Sequence, residues 1–253
     1  MKIYIISLER DVNRRKKIRQ TFPSHWENFT WIHAIDAANP ESKKTIQEYF
    51  KKPSSKTKSF TLGEKCCAMS HIKCLQQFLL TEDPACIIIE DDLEGIDRDF
   101  IEALKETRKL GDSSVVILGG QQGLKNAKHL SGKRISENLW EIPKTSTPFI
   151  TRACCYGITR NAATKIIESQ NTAQNRSDNW EHYSTLGIKI YYSNIFKHPV
   201  NLRDSHLEAQ RAKTGFLRKI IEDGTARIIY RILCKLALSL MIGTKIYERV
   251  RIK

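Results

Sequence analysis

Cys86-Ile-Ile-Ile-Glu-Asp-Asp92 is a short apolar run that ends in three consecutive carboxylic acids. Its β-branched residues are typical of a strand that is buried on both faces of a sheet. Clustered carboxylates repel one another and resist desolvation, so the acids indicate that the strand ends in a wet cleft or beside a divalent cation. Ligands of open α/β sheets bind outside the carboxyl ends of the strands, and this stretch therefore predicts such a sheet with a site at residues 90–92.

The spacing of the acids suggests how they are used. In an extended backbone Glu90 and Asp92 point to the same side, and a hard cation that holds a diphosphate would suit that pair. A turn that begins at Asp91 would change which two acids face the cation. The alternative without a ligand is a solvated turn between the strand and the next loop.

Strand and helix patterns alternate along the chain on both sides of this stretch. Strand patterns cover residues 3–8, 29–34, 86–92, 115–118, 140–142, 151–158 and 188–192. Helical patterns cover residues 11–22, 61–80, 100–110 and 161–170, and another helix from residue 40 leads into a polar, flexible loop over the site, up to residue 60. Thr61 and Glu64 have the spacing of a capping box at the start of the helix 61–80. The alternation predicts an α/β fold with a mostly parallel sheet flanked by helices.

The charge of the chain indicates an anionic partner. The net charge is +14, which favours binding to nucleic acid, to an anionic membrane surface or to phosphorylated substrates. Residues 213–253 contain ten Lys or Arg and three acids, a net +7, with aliphatic residues at helical spacing between them. We therefore expect a domain over residues 1–210 and a basic amphipathic helical tail over residues 211–253. The tail fits a membrane-surface anchor, and it also fits a final helix packed on the domain with a solvated basic face.

The cysteines and the amino terminus favour a reducing, cytoplasmic setting. The seven cysteines include two adjacent pairs and no CxxC spacing, which is a poor disulfide framework and a poor zinc motif. The first residues are too short for a signal peptide and read as a strand. No apolar run is long enough to cross a bilayer.

Two polar segments near the carboxyl end of the chain are candidates for chemistry. Asp178-Asn-Trp-Glu181-His-Tyr mixes acids, an imidazole and aromatic rings, which can bind a sugar ring and supply a general base. Asp178 could equally cap a helix. The segment from His198 to His206 carries two imidazoles and an arginine that could reach a phosphate or a metal.

Four segments in this order resemble glycosyltransferase family 25, the bacterial lipooligosaccharide glycosyltransferases related to collagen galactosyltransferases. They are the opening strand with its basic start at residues 5–15, Leu62-Gly-Glu through Ser70-His71, the strand that ends in Glu-Asp-Asp, and Tyr156 through Ala163. The resemblance covers about residues 1–206. It implies a GT-A-like fold, a nucleotide-sugar donor that is usually a UDP-hexose, and inversion at the anomeric carbon.

The resemblance also implies roles for individual residues. The residues expected to bind the donor are Ser7, Leu8, Arg10, Arg14, Glu64, His71, Glu90, Asp91 and Asp92. Glu90, Asp92 and His206 are expected to hold a divalent cation, Mn²⁺ or Mg²⁺, and the general base is expected to be Asp178 or, second, Glu181.

The expected reaction moves a hexose, galactose or glucose, to a lipooligosaccharide at the inner face of the cytoplasmic membrane, with the tail on the anionic surface and no nucleic acid as partner. Three alternatives stay open. They are a basic nucleic-acid-binding protein, a metal-dependent phosphoesterase that uses the same acids, and a non-catalytic relative that binds a partner through the tail.

Overall fold

The computed structural model describes residues 1–50, 60–199 and 225–252, which form one nine-stranded sheet with helices packed on both faces. The strands are β1 Ile3–Ser7, β2 Phe29–His33, β3 Ala85–Glu90, β4 Ser114–Gly119, β5 Ser131–Ser136, β6 Leu139–Ile142, β7 Cys155–Thr159, β8 Lys189–Phe196 and β9 Glu248–Arg249. The α-helices are α1 Val12–Thr21, α2 Pro40–Tyr49, α3 Leu62–Leu79, α4 Asp99–Arg108, α5 Arg160–Thr172, α6 Trp180–Thr185 and α7 Thr225–Gly243.

The sheet is mixed, which corrects the expectation of a mostly parallel one. The strand order is β2-β1-β3-β7-β4-β8-β6-β5-β9. The pairs β1–β2, β1–β3 and β4–β8 are parallel, whereas β7 runs antiparallel between β3 and β4 and the strands beyond β8 pair antiparallel. The sequence of β5, Ser-Gly-Lys-Arg-Ile-Ser, lacks an apolar run and was not among the predicted strands. Its pairing with β6 makes it a strand instead.

The continuous apolar run of β3 is explained by burial on both sides. Cys86 and Ile88 pack with α3 and α5, while Ile87 and Ile89 pack with α1 and α4. All four side chains are fully buried. The strand therefore lies at the centre of the molecule and delivers the acids that follow it to the edge of the core.

The helix α3 begins where the sequence predicted. Thr61 is its N-cap, and the capping box with Glu64 is complete, because each side chain bonds the other residue's backbone N–H. This cap positions the first turns of α3, which carry Cys67 and His71, beside the end of β3.

One glycine allows a helix to approach the sheet closely. A Cβ on Gly157 of β7 would collide with the Oγ1 of Thr107 in α4. Thr107 is itself held by a hydrogen bond from its hydroxyl to the Ala103 carbonyl, 2.7 Å. The contact between α4 and β7 therefore requires glycine at this position.

The described part of the tail is attached to the rest of the chain. Cys234 and Leu238 of α7 are buried against Phe149. After α7, Glu248 of β9 accepts hydrogen bonds from the Nε1 of Trp140 and the Nε of Arg134, both 2.6 Å. The expected domain boundary at residue 210 lies outside the described residues, and so do residues 51–59 of the region in which a loop up to residue 60 was expected.

Candidate active site

A cavity of about 410 Å³ opens at the carboxyl ends of β1 and β3. This volume lies within the range of small-molecule sites in proteins. Its walls are the end of β1, the segment after β2, the first turns of α3 and the three acids after Ile89. Eight of the nine predicted donor-binding residues line it: Ser7, Leu8, Arg10, Arg14, His71, Glu90, Asp91 and Asp92.

The ninth, Glu64, has a different environment. It is buried, closes the capping box of α3, and lies 3.6 Å from the guanidinium of Arg176. Its neighbour Gly63 lines the cavity. Glu64 therefore acts on the cavity wall through the position of α3.

The three consecutive acids differ in their nearest partners, although Arg14 lies close to both Asp91 and Asp92. The Oε1 of Glu90 lies 3.1 Å from the Nε2 of His71. Asp91 turns towards β1 and α1, and Asp92 turns towards the end of β8. The strand ends at Glu90, and Asp91 and Asp92 lie in the turn that follows it.

Asp91 connects β1 and α1 at the cavity through two hydrogen bonds. Its Oδ2 accepts a hydrogen bond from the Ser7 hydroxyl, 2.7 Å, and its Oδ1 accepts one from Arg14, 3.0 Å. Burial raises the pKa of Asp91 to about 6, although Ser7 and Arg14 both favour its charged form. The folded protein therefore holds this carboxylate at an energetic cost.

Asp92 has an incomplete set of partners among the described residues. Its Oδ2 lies 3.5 Å from the Nε2 of His198 and 3.6 Å from Arg14, whereas its Oδ1 is buried and has no hydrogen-bond partner among residues 1–50, 60–199 and 225–252. Burial opposes the charge of Asp92, but His198 and Arg14 outweigh it and hold its pKa below the ordinary value. A buried acceptor without a partner is uncommon in native proteins and is compatible with a bound water or ion at that position.

His198 was not among the predicted metal ligands, although it opens the segment that the sequence singled out. His206, which was predicted, lies outside the described residues. Burial lowers the pKa of His198, but the hydrogen bond and charge of Asp92 outweigh it and raise the pKa. The signal that could have identified His198 is its position directly after a strand, like that of Asp92.

Glycine at the end of β4 lets His198 reach the acids. Gly119 has a φ of 133°, and a Cβ there would collide with the carbonyl oxygen of Phe196 in β8. The close approach of β4 and β8 brings the residues after Phe196 towards the end of β3. The Asp92–His198 pair thus depends on a backbone conformation that favours glycine.

A second group of possible metal-ligand atoms includes Glu90 but not Asp92. One atom each from Cys67, His71 and Glu90 lies within 4.8 Å of the others. The Tyr156 hydroxyl, 3.0 Å from the Nδ1 of His71, orients that ring so that Nε2 faces Glu90. A set with sulfur and nitrogen suits Zn²⁺, whereas the cations that hold diphosphates, Mg²⁺ and Mn²⁺, prefer oxygen. The orphaned oxygen of Asp92 fits the second kind of cation better.

The two candidate bases lie outside the wall of the cavity. The Oδ2 of Asp178 accepts a hydrogen bond from the backbone N–H of Arg152, 3.1 Å, and Asn179 caps α6 in its place. Ser177, beside it in the chain, lies 3.6 Å from the cavity residue Cys67. Glu181 pairs instead with Arg227 of α7, 3.8 Å.

Known structures resemble the chain only distantly. The mannose-1-phosphate geranyltransferase from Thermus thermophilus is 8% identical with a TM-score of 0.38, over 78% of this chain and 74% of that one. The inositol-1-phosphate CTP transferase from T. maritima is 10% identical with a TM-score of 0.38, over 88% and 96%. The galactosyltransferase LgtC in complex with donor and acceptor sugar analogues is 9% identical with a TM-score of 0.39, over 88% and 95%. No curated protein matches the sequence.

A match to a protein-family model identifies the family of the chain. The model of glycosyltransferase family 25, described as an LPS biosynthesis protein, matches residues 1–180. The match includes β1, α3, the acids after β3 and β7, and it confirms the resemblance that these segments carry in the sequence. The chain therefore belongs to glycosyltransferase family 25 and is a glycosyltransferase.

Proposed function

We propose that the chain transfers a hexose, galactose or glucose, from a nucleotide-sugar donor, a UDP-sugar, to a lipooligosaccharide, with inversion at the anomeric carbon and on a GT-A-like fold. The observation that carries the proposal is the cavity at the ends of β1 and β3, in which a buried oxygen of Asp92 faces no described partner. Family membership supplies the reaction class, and the cavity supplies a place for the donor.

The donor is held by residues from both walls of the cavity. Arg10, which pairs with Asp36 at 2.9 Å, and Arg14, which lies 3.6 Å from Asp92, both line the cavity and supply positive charge. Arginine is well suited to phosphate oxygens because its guanidinium donates two parallel hydrogen bonds. The loop after β2 and the first turns of α3 line the other wall, which we assign to the nucleoside.

A divalent cation, Mn²⁺ or Mg²⁺, fits the side of the cavity where Asp92 lies. Asp92 and His198 would hold it, with Glu90 as a further oxygen donor. When bound there it would supply positive charge to the leaving diphosphate. The pairing of Asp92 with His198 lowers the pKa of that carboxyl and favours its charged form, which is the form that binds a cation.

The acceptor hydroxyl attacks from the side of Asp178. Inversion needs one in-line displacement, so one general base is sufficient. Asp178 is our first candidate, because its neighbour in the chain, Ser177, contacts Cys67 of the cavity wall. Glu181 is the second, although its ion pair with Arg227 engages it in this structure. The acceptor is membrane-linked, which places the reaction at the inner face of the cytoplasmic membrane.

Thermal unfolding with a panel of nucleotide sugars, with and without Mn²⁺, tests the proposal. A donor present at about one hundred times its Kd stabilises a protein by about 2.7 kcal/mol, or roughly 5–10 °C in Tm for a chain of this size. We expect Asp92→Asn to lose the Mn²⁺-dependent part of this shift. Asp97→Asn is the matched control, because Asp97 bonds the Ser24 backbone N–H outside the cavity.

Two results would contradict the proposal. One is a chain that no nucleotide sugar stabilises. The other is release of phosphate from simple esters without sugar transfer, which would identify a metal-dependent phosphoesterase. Equal Mn²⁺-dependent shifts in Tm for Asp92→Asn and Asp97→Asn would show that Asp92 does not bind the cation. The proposed donor site would not be contradicted by that result.

A further inference from the structure

An uncharged apolar stripe runs along the solvent side of α7. Six aliphatic side chains form it, and each is at least 50% exposed: Ile228, Ile229, Ile232, Leu233, Leu236 and Leu240. At 3.6 residues per turn they fall within less than half of the helix circumference. Single exposed aliphatic residues are common on proteins, but a contiguous row of six marks a surface that meets a partner.

The opposite side of α7 is the one that holds the helix to the protein. Cys234 and Leu238 are buried against Phe149, with Met241 packed beside them. The strand β9 then pairs with β5, and Val250 joins the main core. The stripe is therefore a second apolar face, separate from the face that attaches the helix.

Positive charge from three elements gathers beside this helix. Burial, followed by the charges of Lys235, Arg249 and Lys128, holds the pKa of His129 below its ordinary value. Lys235 belongs to α7 itself, Arg249 to β9 and Lys128 to the segment before β5. His129 in turn packs against Phe149, which contacts α7. We call Lys235, Lys128 and Arg249 the cationic border of α7; Lys235 lies at the edge of the stripe, and the other two lie nearer the face that attaches the helix.

An anionic bilayer offers both halves of what this surface needs. Its acyl region takes up the aliphatic stripe, and its lipid phosphates attract the cationic border. No helix among residues 1–50, 60–199 and 225–252 is long and apolar enough to cross a membrane. We propose that α7 docks the chain on an anionic membrane surface, with the stripe of Ile228, Ile229, Ile232, Leu233, Leu236 and Leu240 lying in the interface.

The helix α7 itself lies beside the segments that carry the two candidate bases. Arg227 of α7 lies 3.8 Å from Glu181 of α6. Phe149, on which α7 packs, lies three residues before Arg152, whose backbone N–H is bonded by Asp178. The benefit for a lipid-linked acceptor rests on the proposed function, whereas the docking itself does not.

Co-sedimentation of the full chain with vesicles tests the docking. The vesicles are phosphatidylcholine alone or phosphatidylcholine mixed with phosphatidylglycerol. We expect binding to the anionic vesicles that weakens by about tenfold or more in Ile232→Ser/Leu236→Ser, because two aliphatic side chains lose their place in the interface. The matched control is Leu80→Ser/Ile101→Ser, the same two changes at residues that are 78% and 60% exposed elsewhere. It should bind as the wild type does.

The cationic border is tested separately with Lys128→Gln/Lys235→Gln. Near an anionic surface each lysine contributes enough that the loss of two should weaken binding roughly thirtyfold. Binding to phosphatidylcholine alone should change little. Because this variant leaves the stripe intact, it also decides the matter if the stripe variant fails to fold.

Two outcomes would overturn the docking. Wild-type binding by both the stripe and the border variants is the first. The second is a chain that ignores the vesicles and forms a dimer in solution that the stripe variant abolishes, since the stripe would then join two copies. Nucleotide-sugar binding is measured without vesicles, so failure of either proposal leaves the other standing.

Discussion

Replacing Asp91 with asparagine should change how the stability of the protein depends on pH. Asp91 is 6% exposed, and burial raises its pKa from 3.8 to about 6 in spite of Ser7 and Arg14. That difference is roughly two pKa units, and at about 1.36 kcal/mol per unit the fold disfavours the carboxylate by on the order of 3 kcal/mol.

The sign of the effect follows from the direction of the pKa change. A group whose pKa is raised on folding contributes stability that is full below its unfolded pKa and is lost as the pH rises through its folded pKa. The wild type should therefore lose on the order of 3 kcal/mol between about pH 4 and pH 6. Asp91→Asn should not lose this stability, because an amide stays neutral while it can still accept the Ser7 hydrogen bond.

Urea unfolding at several pH values, with a chelator present, measures this effect. The quantity of interest is the free energy of unfolding of Asp91→Asn minus that of the wild type, because the other titrating groups cancel in it. The difference should move in favour of the variant as the pH rises from about 4 to 7. A constant difference, or one that moves in favour of the wild type, would refute the reasoning and show that Arg14 dominates the pKa of Asp91.

Three further predictions concern the rest of the molecule. In denaturant unfolding, Gly157→Ala should lower the free energy of unfolding by about 1–3 kcal/mol through its clash with Thr107, and Thr107→Ala in the same chain should restore part of it. An unchanged stability of Gly157→Ala would contradict the packing described. Cys67 is the one cysteine of the seven that is not buried, so mass spectrometry should find it alkylated first. A saturating concentration of the donor with Mn²⁺ should slow this alkylation, and a rate that the donor leaves unchanged would argue against the cavity as the donor site. Hydrogen bonds from Trp140 and Arg134 lower the pKa of Glu248. In thermal unfolding, Glu248→Gln should therefore lower the stability of the protein at pH 7, and this loss should shrink as the pH falls through that lowered pKa. An equal loss at low pH would rule out the charge of Glu248 as the cause.

Local patterns in the sequence predicted the elements that carry the site. The strand before the acids and the capping box of Thr61 and Glu64 depend on residues only a few positions apart, and both are present in the structure. The contacts of the last two acids of the cluster were harder to predict. The strand stops at Glu90, and the directions of Asp91 and Asp92 are then decided by Ser7, Arg14 and His198, which are distant in sequence.

The order of the strands also depends on distant partners. β7 enters the sheet antiparallel between β3 and β4, and nothing in its own sequence indicates that position. Likewise β5 is a strand only because it pairs with β6 and β9. The approach of His198 to Asp92 requires both β8 beside β4 and a positive φ at Gly119, so composition and periodicity alone could not identify it.

Transfer of a labelled sugar from its nucleotide donor to a lipooligosaccharide acceptor tests the central claim most directly. The wild type and Asp97→Asn should form labelled product at similar rates, while Asp92→Asn should lose on the order of a hundredfold or more in rate, as for other groups that stabilise charge in a transition state. Transfer by Asp92→Asn at the wild-type rate would contradict the assignment of the site at the end of β3.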